Sequence, residues 1–348
     1  MNALIEVKNI ECKYRQQTIV KDLSLHVNQG SLVCLLGPSG CGKTTVLRAI
    51  AGFEPVHHGT IHINDQEVSR PGFTLVPEKR QLGMVFQDYA LFPHMTVLEN
   101  ISFGLRKLGK TEQQATAREM LSVVGMNEYG ERYPHELSGG QQQRIALARA
   151  LAPHPKAILL DEPFSNLDVE MRKRLSSEVR NILKNRGITG IMVTHDQDEA
   201  FALGDSVGVM KDGHILQWDT PFNLYHEPAD RFVADFIGQG VFIDGVMVTP
   251  NQIRTEFGIV NADRAYNWPE ESKVEILLRP DDVVYDPEGP LQGKVTEKAF
   301  KGAEIMYTLQ LDTGTKILSL FPSHEDFMLG DKVNIRMDIQ HVVAFTKS

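Results

Sequence analysis

The stretch Gly37, Pro38, Ser39, Gly40, Cys41, Gly42, Lys43, Thr44 and Thr45 fits the pattern G-x-x-x-x-G-K-[ST]. Its glycines let the backbone approach an anion closely and supply dihedrals that other residues resist. Freed N–H groups and a helix N-terminus then bind phosphate. Lys43 is expected on the β- and γ-phosphates of a nucleotide and the Thr44 hydroxyl on Mg²⁺. The flanks suit this chemistry: the apolar run 31–36 reads as a short buried strand and 44–51 as the start of a helix.

A second set of residues lies far downstream. Asp161 follows the continuous apolar run 157–160, as in a parallel strand covered on both faces. A carboxylate at the C-terminal end of such a strand, beside a phosphate site, is placed to hold Mg²⁺ directly or through water. The adjacent Glu162 is suited to polarise a water attacking the γ-phosphate, although two neighbouring acids also suit a solvated turn. His195 ends another buried run, 191–194, and can reach the same phosphate or water. Gln87 ends a third, 83–87, and its amide suits Mg²⁺ or the attacking water. Ser138, Gly139, Gly140 and Gln141 form a small turn opening a helix. That turn is either only a helix cap or a second phosphate grip. Tyr14, between two strand-like stretches, can stack on an adenine ring or be a plain strand aromatic.

The elements that must carry these residues alternate between short apolar strands and helices, which predicts an α/β core with a parallel sheet. Alternating residues near 5–7, 23–27 and 59–64 predict antiparallel strands before and beside it. Residues 96–152 read as mainly helical, with a capping box at Thr111–Gln114 and a helix opening at Leu137–Gln141. Asp212–Gly213 marks a hairpin between 206 and 219. Tyr89, Leu91 and Phe92 fall in a loop before Pro93, as a local core plug or a contact surface. Residues 222–238 read as a connecting helix. Beyond 238, helical periodicity fades and short strands take over near 241–248, 273–278, 294–300, 305–311, 316–321 and 333–337. The expected domains are therefore 1–238, with a helical part at about 96–152, and a β-rich 239–348.

Composition narrows the class. With 348 residues there is room for two cores, and a hydrophobic share of 42% with 23% charged is that of a water-soluble globular chain. No apolar run has the length of a membrane span, and the start Met1–Glu6 lacks the basic-then-apolar form of a leader. A formal net charge of −9 argues against nucleic acid as the main partner. The three cysteines, Cys12, Cys34 and Cys41, are odd in number and lack C-x-x-C spacing, which suits a reducing cytoplasm rather than a disulfide or zinc framework.

Over residues 4–238 the chain resembles the ATP-binding subunits of ABC transporters. Gly37–Thr44 is similar to Walker A, Gln87 to the Q-loop glutamine, and Leu137-Ser-Gly-Gly-Gln141 to the family signature. Ile158–Asp161 with Glu162 looks like Walker B and its catalytic glutamate, Asn166-Leu-Asp168 like the D-loop, and His195 like the switch histidine. Tyr14 matches the adenine-stacking aromatic. The resemblance implies a P-loop NTPase core with antiparallel and helical subdomains, binding ATP and Mg²⁺. It also implies a homodimer in which the signature of one copy, through Ser138, closes over the ATP of the other. Two membrane permease subunits, docking near Tyr89–His94, and a periplasmic or lipoprotein solute-binding protein complete the expected assembly at the cytoplasmic face of the inner membrane. Leu278-Arg-Pro-Asp281 resembles the OB-like regulatory domain of importer ATPases that serve sugars, polyamines and ferric iron. Pro77–Arg80 with Gly83–Pro93 looks closest to the ferric-iron branch. A soluble ABC ATPase of DNA repair or translation would need a long coiled-coil insertion or a second cassette, and a small-molecule kinase would not need the signature.

Overall fold

The computed structural model describes residues 3–347; Met1 and Asn2, part of the stretch read above for a leader, and Ser348 lie outside them. The chain divides into two compact units, 1–221 and 222–348. The first contains a six-stranded sheet in the order His214–Asp219, Ser206–Lys211, Leu32–Leu36, Thr189–Thr194, Ala157–Asp161, Leu82–Val85. All neighbours are parallel except the first pair, a hairpin that turns at Asp212 and Gly213. Both of those residues have positive φ, 50° and 89°, as a type I′ turn requires. Strands 32–36, 157–161 and 189–194 are buried along their whole length. Continuous apolar runs are what a parallel strand needs when helices cover both faces. Each fully buried Leu or Ile there contributes about 1.5–3 kcal/mol.

An antiparallel sheet, in the order Gln17–Asn28, Ala3–Tyr14, His58–Ile63, Gln66–Arg70, Phe73–Thr74, shares its core with helix Lys43–Ala51. Arg80 joins the two. It is 2% exposed and donates five hydrogen bonds: to the carbonyls of Ala49 and Ile50 at the helix end, to those of Val68 and Leu75, and to Ser69 Oγ. A cation at a helix C-terminus meets the negative end of the peptide dipoles. No carboxylate pairs with Arg80 among the described residues, and burial pushes its guanidinium down to about 10, still protonated at neutral pH.

The helical part comprises Val97–Ser102, Lys110–Val123 and Gly139–Leu151. The capping box expected at Thr111 is not formed. The helix starts earlier, with Gly109 as its cap residue, so Thr111 lies inside the first turn. Capping boxes form instead at Thr96–Glu99 and Ser138–Gln141.

In the second unit, residues 222–238 do not form one connecting helix. They lie in two short helices, Pro221–His226 and Arg231–Ile237, and they pack with the β-rich part, so the division falls at 221/222 rather than 238/239. The reason is side-chain contact. Ala234 sits in a small core with Leu277 and Val343, Arg279 donates to Gly238 O and Gln239 O, and Tyr225 Oη donates to Asp281. The rest forms two five-stranded antiparallel sheets whose main core includes Val295, Tyr307, Leu309, Phe321 and Ile335. This is the expected OB-like β-rich domain, with short strands at Gln252–Thr255, Gly258–Asn261, Val283–Tyr285 and Val343–Thr346 added to those read from the sequence.

Candidate functional site

The phosphate loop follows the buried strand 32–36 directly. Gly37 is required by contact: a Cβ there would lie 2.3 Å from the Met210 carbonyl oxygen. Gly42 is required by conformation, since it starts the helix with φ +106°. That helix has no side-chain cap, so its first N–H groups remain for a ligand. Pro38, Ser39 and Gly40 are exposed, whereas Cys41, Gly42 and Lys43 are buried and Thr44 and Thr45 half-buried. Lys43 Nζ donates to Gly37 O at 2.7 Å and Pro38 O at 3.0 Å, and lies 4.0 Å from Cys41 Sγ. The loop thus holds its own cation at its centre. Burial pushes the Cys41 thiol up against the pull of Lys43, so Cys41 behaves as a small packing residue.

Asp161 ends its strand beside this loop, and Thr44 Oγ1 donates to Asp161 Oδ1 at 2.9 Å. Asp161 is 5% exposed. Burial raises its proton affinity and Glu162 adds to this, while the Thr44 hydrogen bond, Arg48 and Lys43 oppose it. No cationic side chain forms an ion pair with it among the described residues. A buried carboxylate and a hydroxyl side by side are hard oxygen donors, and they fit Mg²⁺.

Glu162 has φ +43°, in the left-handed region, and its N–H donates to Val193 O at 3.0 Å. Non-glycine residues held there carry strain, and they concentrate at functional positions. The turn aims the side chain across the sheet edge, where Oε2 lies 3.3 Å from His195 Nδ1. The adjacent acids therefore part, one beside Thr44 and one beside His195. Gln87 is exposed, two residues past strand Leu82–Val85. Its carbonyl accepts from Asn166 Nδ2 at 3.0 Å, which ties it to the loop 163–168.

Two groups of expected residues are not joined to this cluster. Ser138 caps its helix by accepting from Gln141 N, while Gln141 Oε1 accepts from Ser138 N at 2.9 Å. Gly139 faces Leu167, where a Cβ would come within 3.2 Å of Cδ2. Among the described residues no hydrogen bond links 138–141 to 37–45. Tyr14 is 67% exposed at the end of its strand, with the Arg15 guanidinium 5.6 Å from its ring centre.

The sequence reading named Tyr89, Leu91 and Phe92 as a core plug or a contact surface, but it missed Arg149, Asn100, Arg172 and Glu199, which hold the loops in place. Tyr89 is 4% exposed and plugs the local core, while Leu91 and Phe92 are half-buried. Tyr89 and Ala90 both have positive φ, 61° and 47°, and Arg149 donates to both of their carbonyls at 2.8 and 2.6 Å. Asn100, fully buried, exchanges hydrogen bonds with Phe92 and donates to the Met95 and Thr96 carbonyls. Arg172 joins Leu167 to Asp196 and Glu199. The signal available for Arg172 was its position four residues after the helix cap Asp168, and for Glu199 its place three after Asp196.

The model of the ABC transporter family matches residues 20–165, and that of the TOBE domain residues 276–345. A spermidine/putrescine import ATP-binding protein of Vibrio parahaemolyticus is 41% identical over 350 residues, covering 95% of this chain and 92% of the relative. An Fe(3+) ions import ATP-binding protein of Rhizobium etli is 43% identical over 320 residues, covering 89% of each. A solved ATP-binding cassette, a dimer in a post-hydrolysis state with ADP and Pi, is similar with a TM-score of 0.56 and 30% identity over 62% of this chain and 98% of that one.

Proposed function

The chain belongs to the ABC transporter family as an ATPase subunit of an import system, and we propose that it powers uptake of a polyamine. The observation that carries the catalytic reading is the convergence at one sheet edge of Lys43, the Thr44–Asp161 pair and the Glu162–His195 pair. Lys43 and the N–H groups opening helix Lys43–Ala51 hold the β- and γ-phosphates. Thr44, Asp161 and Gln87 hold Mg²⁺, which when bound draws negative charge off those phosphates. Glu162 takes the proton from the attacking water, and His195 fixes the Glu162 carboxylate and the γ-phosphate. Ser138, Gly139, Gly140 and Gln141 of a second copy close the site; among the described residues no hydrogen bond joins them to the chain's own phosphate loop. Tyr14 stacks on the adenine.

The remaining parts of the reading follow from the assembly. Two permease subunits form the path, since no helix among the described residues is long and apolar enough to cross a membrane. A solute-binding protein delivers the cargo to them, and the ATPase sits at the cytoplasmic face of the inner membrane. Polyamine is favoured because more of the relatives carry the spermidine/putrescine name. Ferric iron is the second reading, supported by the Rhizobium relative and by the stretch Gly83–Pro93.

The test is uptake of radiolabelled putrescine, spermidine and ferric iron in cells lacking this chain. Polyamine uptake should be lost and should return with the wild-type chain but not with Glu162→Gln. Intact polyamine uptake with lost iron uptake would overturn the polyamine reading in favour of the second.

A further inference from the structure

His195 carries the chemistry proposed above, yet half of its side chain is open to solvent and Glu162 is its charged neighbour. Its position must come from the residues on either side. Thr194 Oγ1 donates to Glu199 Oε2 at 2.5 Å and accepts from Asp196 N at 3.1 Å. Asp196 Oδ1 accepts from Glu199 N at 3.1 Å and so caps helix Gln197–Leu203. The turn 194–196 is thereby clamped from within by two carboxylates.

One cation serves both acids. Arg172 Nη1 donates to Asp196 Oδ2 at 2.8 Å, and its Nε lies 3.3 Å from Glu199 Oε1 without the alignment of a hydrogen bond. Glu199 is 3% exposed, and burial and Asp196 raise its proton affinity against Thr194 and Arg172. The third group of the fork is directed elsewhere: Nη2 donates to the Leu167 carbonyl at 3.1 Å. Leu167 belongs to a loop whose other end is fastened to Glu162, because Ser165 N and Ser165 Oγ both donate to Glu162 O. The same loop carries Asn166, bonded to Gln87 O, and Leu167, which faces Gly139. One planar guanidinium therefore bridges the turn bearing His195 and the loop running from Glu162 to Asp168. A fork with fixed donor geometry suits this bridging, and a lysine ammonium reproduces it only in part.

We propose that Arg172 is a positioning residue for hydrolysis: it registers the turn 194–196 against the loop 163–168, so that His195 meets Glu162 only when that loop is seated. This rests on the reading of Glu162 and His195 as the hydrolytic pair. Arg172 acts through the two backbone segments that present the pair, since its contacts are to Leu167, Asp196 and Glu199.

The test uses the full chain with Arg172→Ala, Arg172→Lys, His195→Ala, the Arg172→Ala/His195→Ala double variant and Glu162→Gln. Steady-state ATP hydrolysis is measured alongside equilibrium binding of a fluorescent ATP analogue. Arg172→Ala should lower kcat by about tenfold or more and leave nucleotide Kd within about twofold, with Arg172→Lys intermediate. The double variant should be no slower than His195→Ala alone, because both changes remove one unit of function. A kcat within about twofold of wild type, a parallel loss of kcat and nucleotide binding, or additive effects in the double variant would each overturn the proposal. If Arg172→Ala does not fold, Arg172→Lys combined with His195→Ala supplies the same additivity test. Failure of the underlying reading is separate: it would show as hydrolysis retained in Glu162→Gln.

Discussion

Arg80→Met is the substitution whose effect can be worked most directly from contacts. Met has comparable bulk and no donors, so the change removes five hydrogen bonds without opening a large cavity. Two acceptors retain a partner: Ala49 O still accepts from Gly52 N and Val68 O from Leu75 N. Leu75 O, Ile50 O and Ser69 Oγ lose the partner that Arg80 supplied. At about 1–3 kcal/mol for each of these three polar groups left unpaired, the gross loss is about 3–9 kcal/mol. Removing a buried charge regains part of its solvation cost, and the groups left behind are neutral, so the net should be about 3 kcal/mol. For a unit of this size the unfolding midpoint should then fall by roughly 6–12 °C. Circular dichroism of the full chain, following its first transition with and without ATP, gives the number. Arg80→Lys, with three donors, should lie between. A shift smaller than about 2 °C for Arg80→Met would mean that water or a rearranged backbone satisfies those carbonyls, and the reasoning would be wrong.

Glu162→Gln is near-isosteric and keeps the backbone turn, so ATP binding should persist while turnover falls by about 10²–10⁴-fold in a phosphate-release assay; wild-type turnover would remove Glu162 from the chemistry. Gly139→Asp places a carboxylate on the turn assigned to a second copy's γ-phosphate, so monomer ATP affinity should hold while light scattering shows no ATP-driven dimer; dimerisation as ready as wild type refutes the assignment. Leu91→Ser with Phe92→Ser, leaving the buried Tyr89 in place, should preserve basal hydrolysis and abolish transport; loss of the fold would mean that these half-buried side chains are core. For Asp205, burial alone would raise the carboxyl, but Leu32 N–H, Lys184 and Arg180 outweigh it and hold it below the usual range. A depressed carboxylate stabilises the fold above its unfolded pKa of about 3.9 and loses that contribution as pH falls through the folded value. The stability gap between wild type and Asp205→Asn should thus be full above about pH 5 and shrink on acidification; a gap that does not change with pH would contradict this.

The catalytic edge was legible because each of its residues ends a run the sequence displays: 32–36 before the phosphate loop, 157–160 before Asp161, 191–194 before His195. Spacing and period carry that information. Arg80 and Arg149 were not legible, since most of their partners are backbone carbonyls, which have no sequence signature and in the main lie tens of residues away; the carboxylate partners of Arg172 lie 24 and 27 residues along the chain. Thr111 illustrates the opposite error: the local pattern was overridden because the helix starts two residues earlier, with Gly109 as its cap. Asp196 and Glu199 have the spacing of a capping box, but only half of one forms: Asp196 caps the helix, while the Glu199 carboxylate turns to Thr194 instead of back to the cap. The strands at 252–255 and 258–261 are four residues each, too short for alternation to stand out.

The Arg149 contact has a mechanical consequence. Arg149 sits near one end of helix Gly139–Leu151 and Ser138 caps the other. At about 1.5 Å per residue the two are roughly 16 Å apart on a rigid rod. At its far end the rod grips two successive carbonyls whose residues, Tyr89 and Ala90, rest in a backbone basin they would otherwise leave. The arrangement is a cocked latch. Hydrogen bonds lengthened by an ångström no longer hold, so a small tilt of the rod would free both carbonyls together and leave Tyr89 and Ala90 without the contacts that hold their positive φ. Because one guanidinium holds both carbonyls, such a release would be stepwise rather than graded.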